Sequence, residues 1–266
     1  MAARICGGKG ELSNRELIEW QRETGRRVSE ALETALAAGR AGDGAACAEA
    51  ARGAAVIFLR RYMEVVGEAV EGGSVGELVE AAARYDAHFA RVREEGELLD
   101  RVASGSCEAI LEAMKEIRLL AGACAGRALG FSNRAAEVDE RLDKFVLHST
   151  TEERARSIFE CGALYSFKRC VAKGLLTGPA LGVEELLDPR RCTEFVSFGI
   201  AEHRYYAGEK VANSQRKGWI DEELTEDYQP SVRLFFRREE LEALPGYEDD
   251  GVHELMVRDE VSLELL

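Results

Sequence analysis

His148 is the residue best placed for chemistry. Phe145-Val146-Leu147 reads as a short strand that stops at His148-Ser149-Thr150-Thr151, and a helical pattern follows. An imidazole at a strand end before a helix sits where α/β proteins gather ligands, and it can donate, accept or carry a proton. Thr150 adds a hydroxyl, which suits either a ligand contact or, with Glu153, a capping box on the helix. Glu254 opens the apolar run Leu255–Val257. Its carboxylate is either a stabiliser of positive charge or one more exposed acid in an acid-rich C-terminus. Phe195, Ser197 and Phe198 lie on a third run, where the two rings suit core as well as ligand. The long stretch from Gly199 to Ser231 carries Arg204, Tyr205, Tyr206, Lys210, Gln215, Arg216, Lys217 and Trp219. Cations and aromatics together can hold a flipped or single-stranded base. The competing reading is a surface helix with solvated charges, and Asp221, Glu222, Glu223, Glu226 and Asp227 weigh against nucleic acid.

Other chemistries are disfavoured. The seven cysteines (Cys6, Cys47, Cys107, Cys124, Cys161, Cys170 and Cys192) are odd in number and widely spaced, with no C-x-x-C pair. That pattern fits neither a zinc ribbon nor a secreted disulfide framework, so most are read as buried small hydrophobes and no metal is expected. Gly7-Gly8-Lys9-Gly10 lacks the P-loop spacing, and no G-x-G-x-x-G is present. His88, alone on a helical stretch beside Phe89, reads as structural.

Two kinds of element must hold these residues. Up to about Glu140 the pattern is helical. Ser13 and Glu16 form a capping box, with a helix expected towards Leu36 that ends near Gly39 and Gly42. Val56, Leu59, Met63, Val66 and Val70 make one apolar stripe; Leu78, Ala82, Tyr85, Phe89 and Val92 make another behind a Ser74–Glu77 box; Ile110, Met114, Ile117, Ala121 and Cys124 make a third. A short helix is expected over Arg134 to Leu142. Helices with one greasy face bury it against each other, so residues 1–143 are expected to form an antiparallel bundle, a scaffold or an interaction and regulatory module open to a protein partner or self-association. From residue 144 to 266 the pattern changes to short apolar runs at Phe145–Leu147, Phe195–Phe198, Val232–Phe236, Leu255–Val257 and Val261–Leu265. A helix through Ile158 ends at Gly162, and Asp249-Asp250-Gly251 signals a turn. The fold class expected is α+β, a helical bundle followed by a mixed α/β domain with short strands.

Composition sets the remaining bounds. A net charge of −14 over 266 residues repels phosphate backbones and disfavours broad binding to DNA or RNA, while leaving room for a local basic groove. No apolar stretch approaches the roughly 18 residues of a membrane span, and no basic-then-apolar leader opens the chain. A cytoplasmic location without membrane contact is the expectation.

Phe145-Val-Leu-His148-Ser-Thr150, the helix containing Ile158, and Gly162-Ala-Leu164-Tyr165-Ser166 together resemble the opening of the ADP-ribosyltransferase fold: a strand ending in H-x-T, a helix, then G-x-L-x-S. Gly251-Val-His-Glu254-Leu-Met-Val257 with Val261-Ser-Leu263 resembles its last motif, where a glutamate opens a strand and a shorter strand follows. The order is most similar to the DarT-type transferases, and it covers about the last 120 residues. The resemblance implies a mono-ADP-ribosyltransferase, an NAD-dependent glycosyltransferase in which NAD is a substrate, with DNA or protein as acceptor. It implies catalysis by Glu254 and His148. NAD contacts would come from His148, Thr150, Tyr165, Ser166, Phe195, Ser197 and Phe198, and acceptor contacts from Arg204, Tyr205, Tyr206 and Gln215. Tyr205 and Tyr206 are alternatives for the aromatic wall. Val252 two residues before Glu254 speaks against the arginine-modifying branch, and no tyrosine on the Phe195 strand completes an H-Y-E triad. DarT-type proteins also use an arginine after the first motif, for which Arg154, Arg156 and Arg169 all stand open. Rival readings are an RNA 2′-phosphotransferase, also NAD-consuming, and an inactive interaction protein that keeps the fold.

Overall fold

The computed structural model describes residues 14–68, 70, 72–128, 145–175, 189–200, 232–249 and 255–266. Residues 14–128 belong to one compact unit and those from Phe145 onward, Pro189 apart, to a second. The expected boundary at residue 143 and the helix over Arg134 to Leu142 lie outside the described residues, as does the Ser13 cap.

The first unit is helical: α1 (Asn14–Ala41), α2 (Gly44–Val66), α3 (Val75–Ala83), α4 (Arg93–Arg101) and α5 (Cys107–Ala128). Gly42, at a left-handed φ of 69°, ends α1, and Asp43 restarts the chain by accepting from the Ala45 and Ala46 amides. The buried side of α2 is lined by Ala48, Ala51, Ala54 and Ala55 beside Phe58, Leu59, Tyr62 and Met63. Small side chains let helices approach closely. Backbone meets backbone at Gly44, where a Cβ would stand 2.7 Å from the Gly105 carbonyl oxygen. This contact places the starts of α2 and α5 together, and the two helices share much of the core, so this pair runs parallel. The all-antiparallel bundle expected from short connections fails here, because the segment from Val75 to Arg101 carries the chain back before α5 begins.

The Ser74–Glu77 box forms as its spacing predicts, with Glu77 N donating to Ser74 Oγ (3.3 Å) and Ser74 N to Glu77 Oε2 (2.9 Å). The single helix expected behind it does not form. It breaks at Arg84–Asp86, leaves Tyr85 48% exposed, passes through a 3₁₀ turn (Ala87–Val92) and resumes as α4. Asp86 is the cause: its carboxylate takes the His88 amide (3.1 Å) and pairs with His88 Nδ1 (2.7 Å), so a side chain does the work of a helical carbonyl. His88 thus holds the turn through Asp86. Asp100 on α4 also accepts from Val75 N and Gly76 N, 2.8 Å each, at the start of α3. Asp100→Ala leaves these half-buried donors without their acceptor and should cost roughly 1–3 kcal/mol, read as a lowered midpoint in urea with an unchanged slope.

The second unit holds β1 (Phe145–Thr150), α6 (Glu152–Cys161), β2 (Ala163–Tyr165), α7 (Phe167–Ala172), β3 (Phe195–Ile200), β4 (Val232–Arg237), α8 (Arg238–Glu242), β5 (Tyr247–Asp249), β6 (Leu255–Arg258) and β7 (Glu260–Ser262). Five strands form an antiparallel sheet in the order β4-β1-β3-β6-β5, and β2 pairs with β7. The fold is thus α+β. Val146, Val196, Phe198, Leu234, Phe236, Leu255 and Val257 share one sheet face and pack with Leu164 and Val261 of the β2–β7 pair and Leu241 of α8. Strands β1 and β3 run longer than their apolar runs, so His148 and Thr150 lie within β1 rather than past its end. The run Val261–Leu265 is only partly strand, closing as a 3₁₀ turn over Leu263–Leu265. Among the described residues no helix is long and apolar enough to cross a membrane.

Candidate functional site

β3 is the middle strand, flanked by β1 and β6. Val146 pairs with Ile200 and Leu147 with Gly199, which brings His148 beside Phe198, the ring centroids 6.1 Å apart and edge to face. Phe198 in turn pairs with Leu255, the first residue of β6. The opening segment and the closing segment, more than a hundred residues apart in sequence, therefore share one central strand.

His148 Nδ1 lies 3.1 Å from the Ser197 carbonyl oxygen. A carbonyl has no proton to give, so Nδ1–H is the donor and the neutral ring carries its acceptor lone pair on Nε2. The sheet thereby sets both the plane and the tautomer of a half-buried imidazole. Thr150, 3% exposed, is the last residue of β1. The cap of α6 is not Thr150, as expected, but Thr151, whose Oγ1 accepts from Arg154 N at 3.3 Å. Gly162 ends α6 at φ 69°, as expected.

Period-two alternation divides the proposed NAD contacts. Phe198 lies on the His148 face but is 2% exposed and packs edge-on against Phe236 at 5.4 Å, so it is core. Phe195 and Ser197 point to the opposite face, and Ser197 meets His148 through its backbone oxygen, not its hydroxyl. Phe195 lies under the Arg258 guanidinium at 4.4 Å. A continuous strand aims neighbouring side chains to opposite sides, so these three β3 side chains do not share one face.

Tyr165 ends β2, and Ser166 follows it as the N-cap of α7. Ser166 is buried; its amide donates to Asp259 O (2.7 Å), and its Oγ caps α7 by accepting from Arg169 N (3.2 Å). The Tyr165 ring carries two cations, Lys173 Nζ at 4.5 Å and Arg169 at 5.7 Å from its centroid, and Arg169 is paired with Glu260 at 2.8 Å. Arg169 Nε is buried and has no hydrogen-bond partner among the described residues. A second ionic group, not foreseen from sequence, joins Lys168, Glu194, Arg258 and Glu248. The hydrogen bond and charge of Lys168, then Arg258, hold the Glu194 carboxyl below the usual range. Asp259, at a left-handed φ of 66°, places Arg258 there: its amide donates to Glu194 O (2.9 Å) while its carbonyl receives Ser166 N. The one signal in the sequence was the alternation Arg258-Asp259-Glu260, whose charged partners lie far off in the chain. Burial pushes the Cys170 thiol up, Cys161 adds to this and Arg154 opposes it.

Glu254, Arg204, Tyr205, Tyr206 and Gln215 lie outside the described residues. Among the described residues no group of His, Cys, Asp and Glu is placed to hold a metal ion. No family model, curated protein or solved structure matches the chain.

Proposed function

We propose that residues 144–266 form a mono-ADP-ribosyltransferase domain of DarT-like type, transferring ADP-ribose from NAD to a macromolecular acceptor, a DNA base or a protein, and releasing nicotinamide. The observation that carries this reading is the shared strand: His148 touches Phe198, and Phe198 pairs with the residue that directly follows Glu254. A further support is the second sheet, in which the G-x-L-x-S strand pairs with the short strand behind the closing motif.

In this reaction the bond from nicotinamide nitrogen to ribose C1′ breaks, and positive charge develops on the sugar ring. A carboxylate fixed beside that ring stabilises the transition state more than the ground state, which is the role assigned to Glu254. His148, its ring oriented by the Ser197 carbonyl, is the residue assigned to the ribose hydroxyls. Thr150, Tyr165 and Ser166 are retained as neighbours of that sugar, whereas Phe198 supports the site from within the core. Of the three candidate arginines, Arg156 is tied to Glu152 on the exposed face of α6. Arg169 stands beside Tyr165 with a buried Nε, and is the one assigned to the site. The helical unit is assigned no part in this transfer.

The test is direct. The full chain incubated with NAD and either single-stranded DNA or a protein mixture should release nicotinamide and label one acceptor class with ADP-ribose. If nicotinamide stays bound in NAD with every acceptor, the enzymatic reading is lost.

A further inference from the structure

The helical unit contains a pair of thiols that its close packing brings together. The Gly44–Gly105 approach sets the starts of α2 and α5 against each other, where any side chain at 44 would hit backbone. One turn on, Cys47 Sγ lies 4.0 Å from the carbonyl oxygen of Cys107, the first residue of α5. Burial pushes the Cys47 thiol up to about 11, and the hydrogen bond and charge of the Cys107 thiol push the same way. Cys47 is fully buried, whereas Cys107 is half-buried and open to small solutes. Of the other described cysteines, Cys124 is sealed in the core, and Cys170, which burial and Cys161 push up, turns its Sγ to the Tyr165 carbonyl oxygen at 3.8 Å.

We infer that Cys47 and Cys107 form a reversible oxidation site, a dithiol that a peroxide converts to a disulfide joining α2 to α5. Cys107 reacts first, because solvent reaches it. Its thiolate sulfur attacks one peroxide oxygen, an S–O bond forms, the O–O bond breaks, and the oxygen that leaves takes a proton as water. The sulfur is oxidised by two electrons and the peroxide is reduced by two. Cys47 then attacks the sulfenic sulfur. An S–S bond forms, the S–O bond breaks, and the departing hydroxide takes the Cys47 proton as a second water. Two thiols and one peroxide give one disulfide and two waters. Burial keeps Cys47 protonated, which slows this second step, while the packing of α2 against α5 holds the attacking thiol beside its target and favours it. The bond spans 60 residues of chain and so removes much freedom from the unfolded unit.

Treating the full chain with a limiting amount of hydrogen peroxide should lower its free thiols by two from seven. Tryptic peptides 41–52 and 102–115 each hold one cysteine, and should appear covalently joined and separate again with dithiothreitol. The melting temperature of the helical unit should rise by on the order of 10 °C and fall back on reduction. Cys107→Ser, at a half-buried helix start, should fold normally and lose both the joined peptide and the rise. The inference is overturned if the joined peptides involve other cysteines, if Cys107 proceeds to sulfinic acid without a partner, or if Cys107→Ser keeps the peroxide-dependent rise. None of these outcomes bears on the NAD reading.

Discussion

Glu254→Gln should lower the rate of nicotinamide release by about 10²–10³ while leaving NAD binding close to wild type. Glutamine keeps the size and hydrogen-bonding reach of the side chain and removes only its charge. A charge that acts on a sugar cation formed in the transition state is lost from kcat, not from KM. His148→Ala should behave differently. In the proposed reading it deletes a ribose contact made in the ground state as well, together with the bond to the Ser197 carbonyl. The expected result is a raised KM for NAD with a smaller fall in kcat. Steady-state release of nicotinamide at several NAD concentrations separates the two, and an unchanged melting temperature in each variant excludes misfolding. Full activity in Glu254→Gln removes this glutamate from catalysis even if the domain still consumes NAD.

Local signals were legible in the sequence where both partners lie within one turn. Ser74 and Glu77 are three residues apart, and both bonds of their box form. Ile110, Met114, Ile117, Ala121 and Cys124 recur at helical spacing, and all five are buried on α5. Gly162 after an apolar turn marks the end of α6. Legibility ended where a contact joins distant residues or where one side chain outbids a pattern. Asp86 breaks a stripe that periodicity alone carries through Tyr85, because a carboxylate two residues from an amide competes with the helix. Strand β5 (Tyr247–Asp249) has too few apolar residues to be seen, and its pairing with β6 supplies what its composition lacks. Arg258 finds Glu194 across 64 residues, which no spacing rule encodes. At the site itself, the apolar runs before His148 and after Glu254 were legible as strands, while their common pairing with β3 and the facing of β3 could not be read. Three of its residues had chemistry to offer, and only knowledge of the flanking strands tells which ones face His148.

That facing gives the second large effect. Phe198 was a candidate to touch nicotinamide, and the structure buries it among His148, Phe236 and Leu255. Phe198→Ala removes a ring from the centre of this face and leaves a cavity that antiparallel backbone on both sides holds open. The cost should be about 3–5 kcal/mol, a large share of the roughly 5–15 kcal/mol that holds a domain together. Urea or thermal unfolding of the second unit should show it directly, and NAD turnover should fall with the folded fraction. A loss of activity alone would not separate a core ring from a ligand contact, so Phe198→Leu is the informative partner. Leucine refills much of the volume, should cost about 1–1.5 kcal/mol, and keeps no aromatic face for nicotinamide. If Phe198 works only from the core, Phe198→Leu retains the wild-type KM for NAD. If the ring stacks on nicotinamide, KM rises in a protein that is nearly as stable as wild type, and the placement of Phe198 in the core has to give way.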